Sequence, residues 1–254
     1  MAVFFKQPNT PFTYLLTCLL ALLATGAAAS PQTAVVTAFS QSIGGNLPAP
    51  WRFVGLPERY AKPASVFDIA DIDGKKVLRV RTDASWGSVV HPVTGPANVL
   101  EFSWRLDKPL MRSSLTAKAT EDAALKVCLS FDMPIDNVPT GERLLLKLAQ
   151  RFSRDKLPTA MLCYTWAYTD SVGSVVASPV TGRVRYWVLN AAADPLRAWQ
   201  PHTRNVGADF LKAFGAESPF IPAVVAIVIG ADADNTQDTS LGYVGDVTLG
   251  VGQP

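Results

Sequence analysis

Histidine is the scarcest reactive residue in this chain: there are two, His91 and His202, among 254 residues. Cysteine is nearly as rare, with three. There is no Gly-x-Ser-x-Gly elbow, no His-Glu-x-x-His pair and no glycine-rich phosphate loop, so the standard serine-hydrolase, zinc-protease and nucleotide-binding signatures are missing. Ser153-Arg154-Asp155-Lys156 has Ser-x-x-Lys spacing without companion motifs and reads as the charged end of a helix. Charge is sparse as well. Charged residues make up 17% of the chain, with a formal net charge of +2 and no Lys/Arg cluster, which argues against nucleic acid as a partner. Beyond the first 30 residues no apolar run is long enough to span a bilayer.

Those first residues read as a secretory signal. Lys6 is the positive region, Phe12–Leu23 the apolar core, and Ala24–Ala29 supplies small residues for cleavage. Residues 1–29 are therefore expected to be the leader, 30–50 a linker with a first strand near Val35–Phe39, and 51–254 one domain, periplasmic or extracellular. Export leaves Cys128 and Cys163, either as one disulfide or as two buried thiols.

The remaining pattern is that of short strands. Val66–Ile72 and Lys76–Thr82 flank Asp73-Gly74, a strong hairpin signal. Asn98–Asp107 alternates cleanly, with Leu100, Phe102, Trp104 and Leu106 on one face and Glu101, Ser103, Arg105 and Asp107 on the other. Asp122–Phe131 repeats the alternation, with Leu125, Val127, Leu129 and Phe131 inward. Val224–Ile229 is a β-branched run that reads as a strand buried on both faces. Leu144–Phe152 changes to a helical period, with Thr140 as candidate N-cap, and predicts a short amphipathic helix packed on the sandwich or covering one end of it. Phe210–Phe214 predicts one helical turn ending at Gly215. Around ten short strands with one convincing helix predict an all-β antiparallel sandwich or jelly roll.

Several stretches taken in order resemble a known family. They are Phe102-Ser103-Trp104-Arg105, Glu121-Asp122-Ala123-Ala124, Leu162–Ala167, Arg204-Asn205-Val206 with Asp209-Phe210, Asp232–Thr236, and Gly242–Asp246. Together they look like the bacterial domain-of-unknown-function family three thousand and forty-seven, over roughly residues 100–249. The family carries no established activity. The Asp-Gly hairpin, the Trp-bearing strand and the last strand resemble the jelly rolls of carbohydrate-binding modules, an analogy of fold and not of function.

The candidate ligand-binding residues are Trp86, Tyr164 and Trp166, whose flat faces suit sugar rings, together with Arg105, Asp122, His202 and Arg204. Arg105 is expected to pair with Asp122 across adjacent strands. A structural calcium site is expected from Asp232, Asp234 and Asp238 in the acidic turn, with Asp246 joining from the final strand, because crowded carboxylates repel without a screening cation. A solvated turn in which these acids bond their own backbone is the alternative. Three functions stay open. The first is an exported, non-catalytic binder of a glycan or other envelope component. The second is a glycan-active hydrolase or lyase using acids such as Asp122 and Asp232. The third is a structural envelope protein that binds other proteins.

Overall fold

The computed structural model describes residues 35–55, 62–93, 98–151, 153 and 157–251. The described residues all belong to one compact unit; the predicted leader lies outside the described residues.

Two sheets form a β-sandwich. The first has seven strands, β1 (Arg52–Val54), β4 (Trp86–Pro92), β6 (Ala123–Phe131), β7 (Ala160–Trp166), β8 (Val175–Ala177), β9 (Val184–Asn190) and β11 (Val224–Asp232). Their order across the sheet is β1-β4-β11-β6-β7-β9-β8. The second has β10 (Gln200–Asn205), β5 (Val99–Lys108), β12 (Thr239–Val244), β3 (Lys75–Asp83) and β2 (Val66–Ile72), in that order, and β13 (Thr248–Gly250) also pairs with β5. Among these strands every pairing is antiparallel except β7 with β9. There the 167–183 connection carries the chain back to the end from which β7 set out.

The core lies between the sheets. Leu100, Phe102, Trp104 and Leu106 meet Leu125, Val127, Leu129 and Phe131 there, as the alternation predicts. Gly242 leaves room for the facing sheet, since a Cβ there would lie 2.5 Å from a Leu125 methyl. The seven-stranded sheet also buries its other face. β6 is buried at all nine positions. A second apolar layer on that face joins Cys128, Cys163, Tyr186, Val188 and Val228 to Leu115. The six-stranded sheet leaves its outer face open, with Glu101 and Arg81 exposed. Along that face Arg105, Tyr243, Arg79 and Asp68 stand in register across four strands.

Three local expectations are corrected. Val35–Phe39 forms no strand. The chain enters extended and makes a short 3₁₀ turn at Phe39–Gln41, because Phe39 packs on Trp51, 4.9 Å between ring centroids, instead of pairing with a sheet edge. The predicted amphipathic helix exists as α1 (Thr140–Gln150), with Pro139 and not Thr140 at the N-cap. Its stripe faces the other way from the one expected: Leu144 is 70%, Leu145 65% and Leu148 50% exposed. The side turned to the sandwich is mainly polar, with Leu146 half-buried among Glu142, Arg143 and Gln150. Glu142 bonds Arg183 and the Gly182 amide, and Arg143 donates to Asp136 and to the Val138 carbonyl. The second helix, α2 (Val206–Phe214), is longer than the single turn predicted and is capped by Asn205, which accepts from the Ala208 amide. It ends at Gly215, where a Cβ would sit 2.3 Å from the Leu211 carbonyl oxygen.

Cys128 and Cys163 are direct partners on β6 and β7 and form a disulfide. Their Cα atoms are 3.9 Å apart, closer than both the usual spread for disulfides and the spacing of opposed residues in an antiparallel ladder. The bond closes 35 residues, and loop-closure entropy then amounts to about 3–4 kcal/mol. The Cys128→Ala/Cys163→Ala double variant is expected to lose about that much unfolding free energy, read as a lower urea midpoint. Equal midpoints, or two alkylatable thiols in the non-reduced denatured protein, would contradict this.

Candidate functional site

Four of the predicted site residues meet at one end of the seven-stranded sheet. β6 and β11 slip register between Gly230 and Asp232, so that Gly230 faces Lys126 while Asp232 faces Ala123. Such an irregularity re-aims a side chain. Here it brings the Asp232 carboxylate to the Lys126 ammonium at 2.9 Å and to the Ala123 amide at 2.9 Å. Trp86, half-buried, stands opposite Asp232 on β4. Asp122, in the turn before β6, accepts from the amides of Asn235 and Thr236 and from the Thr236 hydroxyl, the last two at 2.6 Å. Asp234 receives the Lys62 ammonium. Asp122, Asp232 and Asp234 are all buried, and each offers an oxygen within 4.8 Å of the others.

Glu121 extends this cluster by accepting from Ser178 and from the Tyr186 hydroxyl. Burial pushes the Asp232 carboxyl above its ordinary range, against the pull of Lys126. Burial, with the charges of Asp232 and Glu121, pushes the Tyr186 hydroxyl far up. Lys126, Lys62 and Tyr186 were not singled out in the sequence. Lys126 did carry a signal, as the one cation inside the apolar alternation of β6.

The expected calcium ligands divide. Asp232 and Asp234 converge, but the third carboxylate is Asp122. Asp238 turns to the Thr239 amide, and Asp246 lies elsewhere, accepting from the Ser40 amide and hydroxyl. The reason is topological: Asp246 follows β12 on the six-stranded sheet, while Asp232 ends β11 on the other. The three convergent oxygens could contribute to a cation site, but two ammonium groups already meet their charge.

The aromatic row is core. Tyr164 and Trp166 are 0% and 1% exposed, which leaves no ring face for a sugar. The Tyr164 hydroxyl donates to Asp209 at 2.7 Å, and burial holds it well above its ordinary pKa. Arg204 grips the same Asp209 with two bonds of 2.8 Å and lies over the Trp187 ring at 4.6 Å. This trio ties α2 to β10 and β7. Arg105 does not pair with Asp122, which belongs to the other sheet. It takes the nearer acid on its own face, Asp107, at 2.7 Å, and reaches Asp73 at 3.2 Å.

His202 and Asp246 come together in a third place. A shallow depression of about 350 Å³ on the six-stranded sheet is lined by Glu101, Ser103, Pro201, His202, Thr203, Asp246 and Thr248, with Phe102 at its floor. The Ser103 and Thr203 hydroxyls bond no described residue. Half-buried Trp199 packs beside Gly245 and so stands near Ser103. A larger depression of about 560 Å³ lies beside Ser85, Thr82 and Ser240, but its hydroxyls are spent on one another: Thr82 pairs with Ser240 and Ser65 with Ser85.

The His202 Nε2 sits 2.9 Å from Asn190 Oδ1, which also accepts from the Trp104 indole at 2.8 Å. Burial and the neighbouring Arg204 push His202 down to about 4.

A family model described as "Protein of unknown function (DUF3047)" matches residues 49–248. No curated protein matches. Among solved structures, the K2 cleaved adhesin domain of Lys-gingipain is 8% identical, covering 86% of this chain and 98% of its own, with a TM-score of 0.41. The K3 cleaved adhesin domain of Lys-gingipain from Porphyromonas gingivalis is 9% identical, covering 86% and 99%, with a TM-score of 0.39. TmCBM61, solved in complex with β-1,4-galactotriose, is 10% identical, covering 79% and 88%, with a TM-score of 0.32.

Two outcomes follow from these sites. Lys126→Met strands the buried Asp232 charge and is expected to cost about 3–5 kcal/mol of stability. Lys126→Met/Asp232→Asn recovers most of it in urea titrations; a double variant no more stable than the single would show that the pair is not coupled. His202 titrates lower when folded than its ordinary 6.5. Its contribution is complete above pH 6.5 and is lost as pH falls toward about 4, where the unfolded chain takes the proton first. Wild type is therefore expected to lose more stability between pH 6.5 and 4 than His202→Gln does, and parallel profiles would overturn the assignment.

Proposed function

Because the chain belongs to the protein family of unknown function DUF3047, which carries no activity to transfer, we propose its role from the open sheet face: an exported, non-catalytic β-sandwich that binds a glycan. The observation that carries this reading is the contrast between the two sheets. One is covered on both faces. The other holds a shallow polar depression in which the Ser103 and Thr203 hydroxyls bond no described residue, beside the Glu101 and Asp246 carboxylates. Sugar hydroxyls both donate and accept, so a mixed floor of hydroxyl and carboxylate oxygens suits them, and Pro201 with Trp199 offers apolar surface nearby. Export is supported by the leader-like residues 1–29 and by the disulfide.

The hydrolase or lyase reading is less favoured. It would need two carboxylates reachable by substrate on either side of a bond. Asp122 and Asp232 are 1% and 6% exposed and are occupied by backbone amides and by Lys126.

The test is a glycan array with residues 31–254, followed by calorimetric titration of the bound glycan. Glu101→Gln and Ser103→Ala are each expected to weaken binding by about tenfold, the worth of one good hydrogen bond, with an unchanged melting temperature. Binding unaffected by either change would move the site elsewhere. Release of new reducing ends from the glycan would return the enzyme reading.

A further inference from the structure

The leucine stripe of α1 faces outward, and we infer that α1 is a docking helix for an anionic phospholipid surface, with Leu144, Leu145 and Leu148 as its inserting residues. The helix is held from behind mainly by polar contacts, with Leu146 half-buried among them. Glu142 bonds Arg183 and the Gly182 amide, and Arg143 is turned to Asp136 and the Val138 carbonyl. None of its residues is buried. A helix fixed by its polar side with its apolar side in water has the wrong orientation for a packing element and the right one for an interfacial anchor.

Charge selects the occupant. The exposed positions of α1 are Thr140, Gly141, Leu144, Leu145, Lys147, Leu148 and Ala149, with Arg151 directly after them. Among the described residues Lys147 and Arg151 make no ion pair, and Glu142, the single acid of α1, is committed to Arg183. Two copies meeting through this face would oppose like charges across a two-fold axis. An anionic lipid headgroup layer complements both the cations and the leucines.

A second apolar element is fixed near the first. Arg183 pairs with Glu142 of α1 and, at 2.6 Å, with Glu217. Glu217 opens the loop that carries Phe220, 79% exposed, and Ile221, 51% exposed. One guanidinium thus joins the leucine helix to a phenylalanine-bearing loop, and a peripheral protein with two such elements holds a membrane better than one helix of three turns does.

The experiment is vesicle flotation of residues 31–254, with vesicles of phosphatidylcholine alone and of phosphatidylcholine mixed with phosphatidylglycerol. Binding is expected to the phosphatidylglycerol vesicles and to weaken in about 0.5 M salt, where screening shortens the reach of Lys147 and Arg151. Leu145→Ser/Leu148→Ser is expected to lower the partition coefficient by about tenfold or more. Lys147→Glu/Arg151→Glu should remove the salt-dependent part. All these positions are exposed, so the variants should melt as wild type does. Failure to float with anionic vesicles would overturn the inference, as would flotation indifferent to the leucine change. A solution dimer that Leu145→Ser/Leu148→Ser dissociates, without vesicle binding, would assign the face to a second copy and overturn it equally.

Discussion

The pairing of β6 with β11 constrains everything near it, because both strands are buried on both faces. A strand in that position cannot leave a polar side chain to water, so each one must find its partner inside the protein. Lys126 and Asp232 satisfy that demand with each other, and the register slip beside Gly230 is what brings them together. Glu121, Asp122, Asp234, Tyr186 and Lys62 then gather around the pair. The acids at this end of the sandwich are therefore first of all a solution to burial. Removing water strengthens each of their interactions and raises the cost of losing any one of them.

The six-stranded sheet obeys a different rule. Its outer face is wet, and its charged side chains pair at the surface, Arg79 with Asp68 across strands and Arg105 with Asp107 along β5. Such pairs contribute little to stability, and they keep the face charged and free of large apolar area. The two sheets thus divide the work. One is sealed and supplies rigidity, while the other stays accessible around Glu101, Ser103 and Thr203.

Much of this was legible in the sequence where one face is wet, and little of it where both are dry. The alternation of β5 could be read directly, because Glu101, Ser103 and Arg105 mark the solvent side. In β11 the outward Ala226 and Val228 are apolar too, and in β6 the outward Lys126 and Ser130 are themselves buried, so periodicity could identify strands but not their neighbours. The acids at 232 and 234 stood out, yet their partner Asp122 lies more than a hundred positions away, and only the sheet order brings it near. Arg105 was matched to the wrong acid for the same reason. Tyr164 and Trp166 could not be told from surface aromatics, since a row of rings on one strand face suits a core and a sugar platform equally. The α1 stripe was visible, but a stripe has no direction of its own. Glu142 and Arg143 set its direction through partners that no local pattern reveals.

The bond between Cys128 and Cys163 has a mechanical consequence. It joins β6 to β7, the fourth and fifth of seven strands, at directly opposed positions near their middle. A sheet opens most readily by peeling strands from an edge. Peeling that starts at β1 or at β8 runs inward until it meets a covalent rung that hydrogen-bond rupture cannot cut. Tension along the chain would then be borne by the central ribbon while the margins yield. Backbone amides of β6 and β7 should exchange with solvent only when the whole domain unfolds, and the margins form a separate, softer zone around a stapled spine.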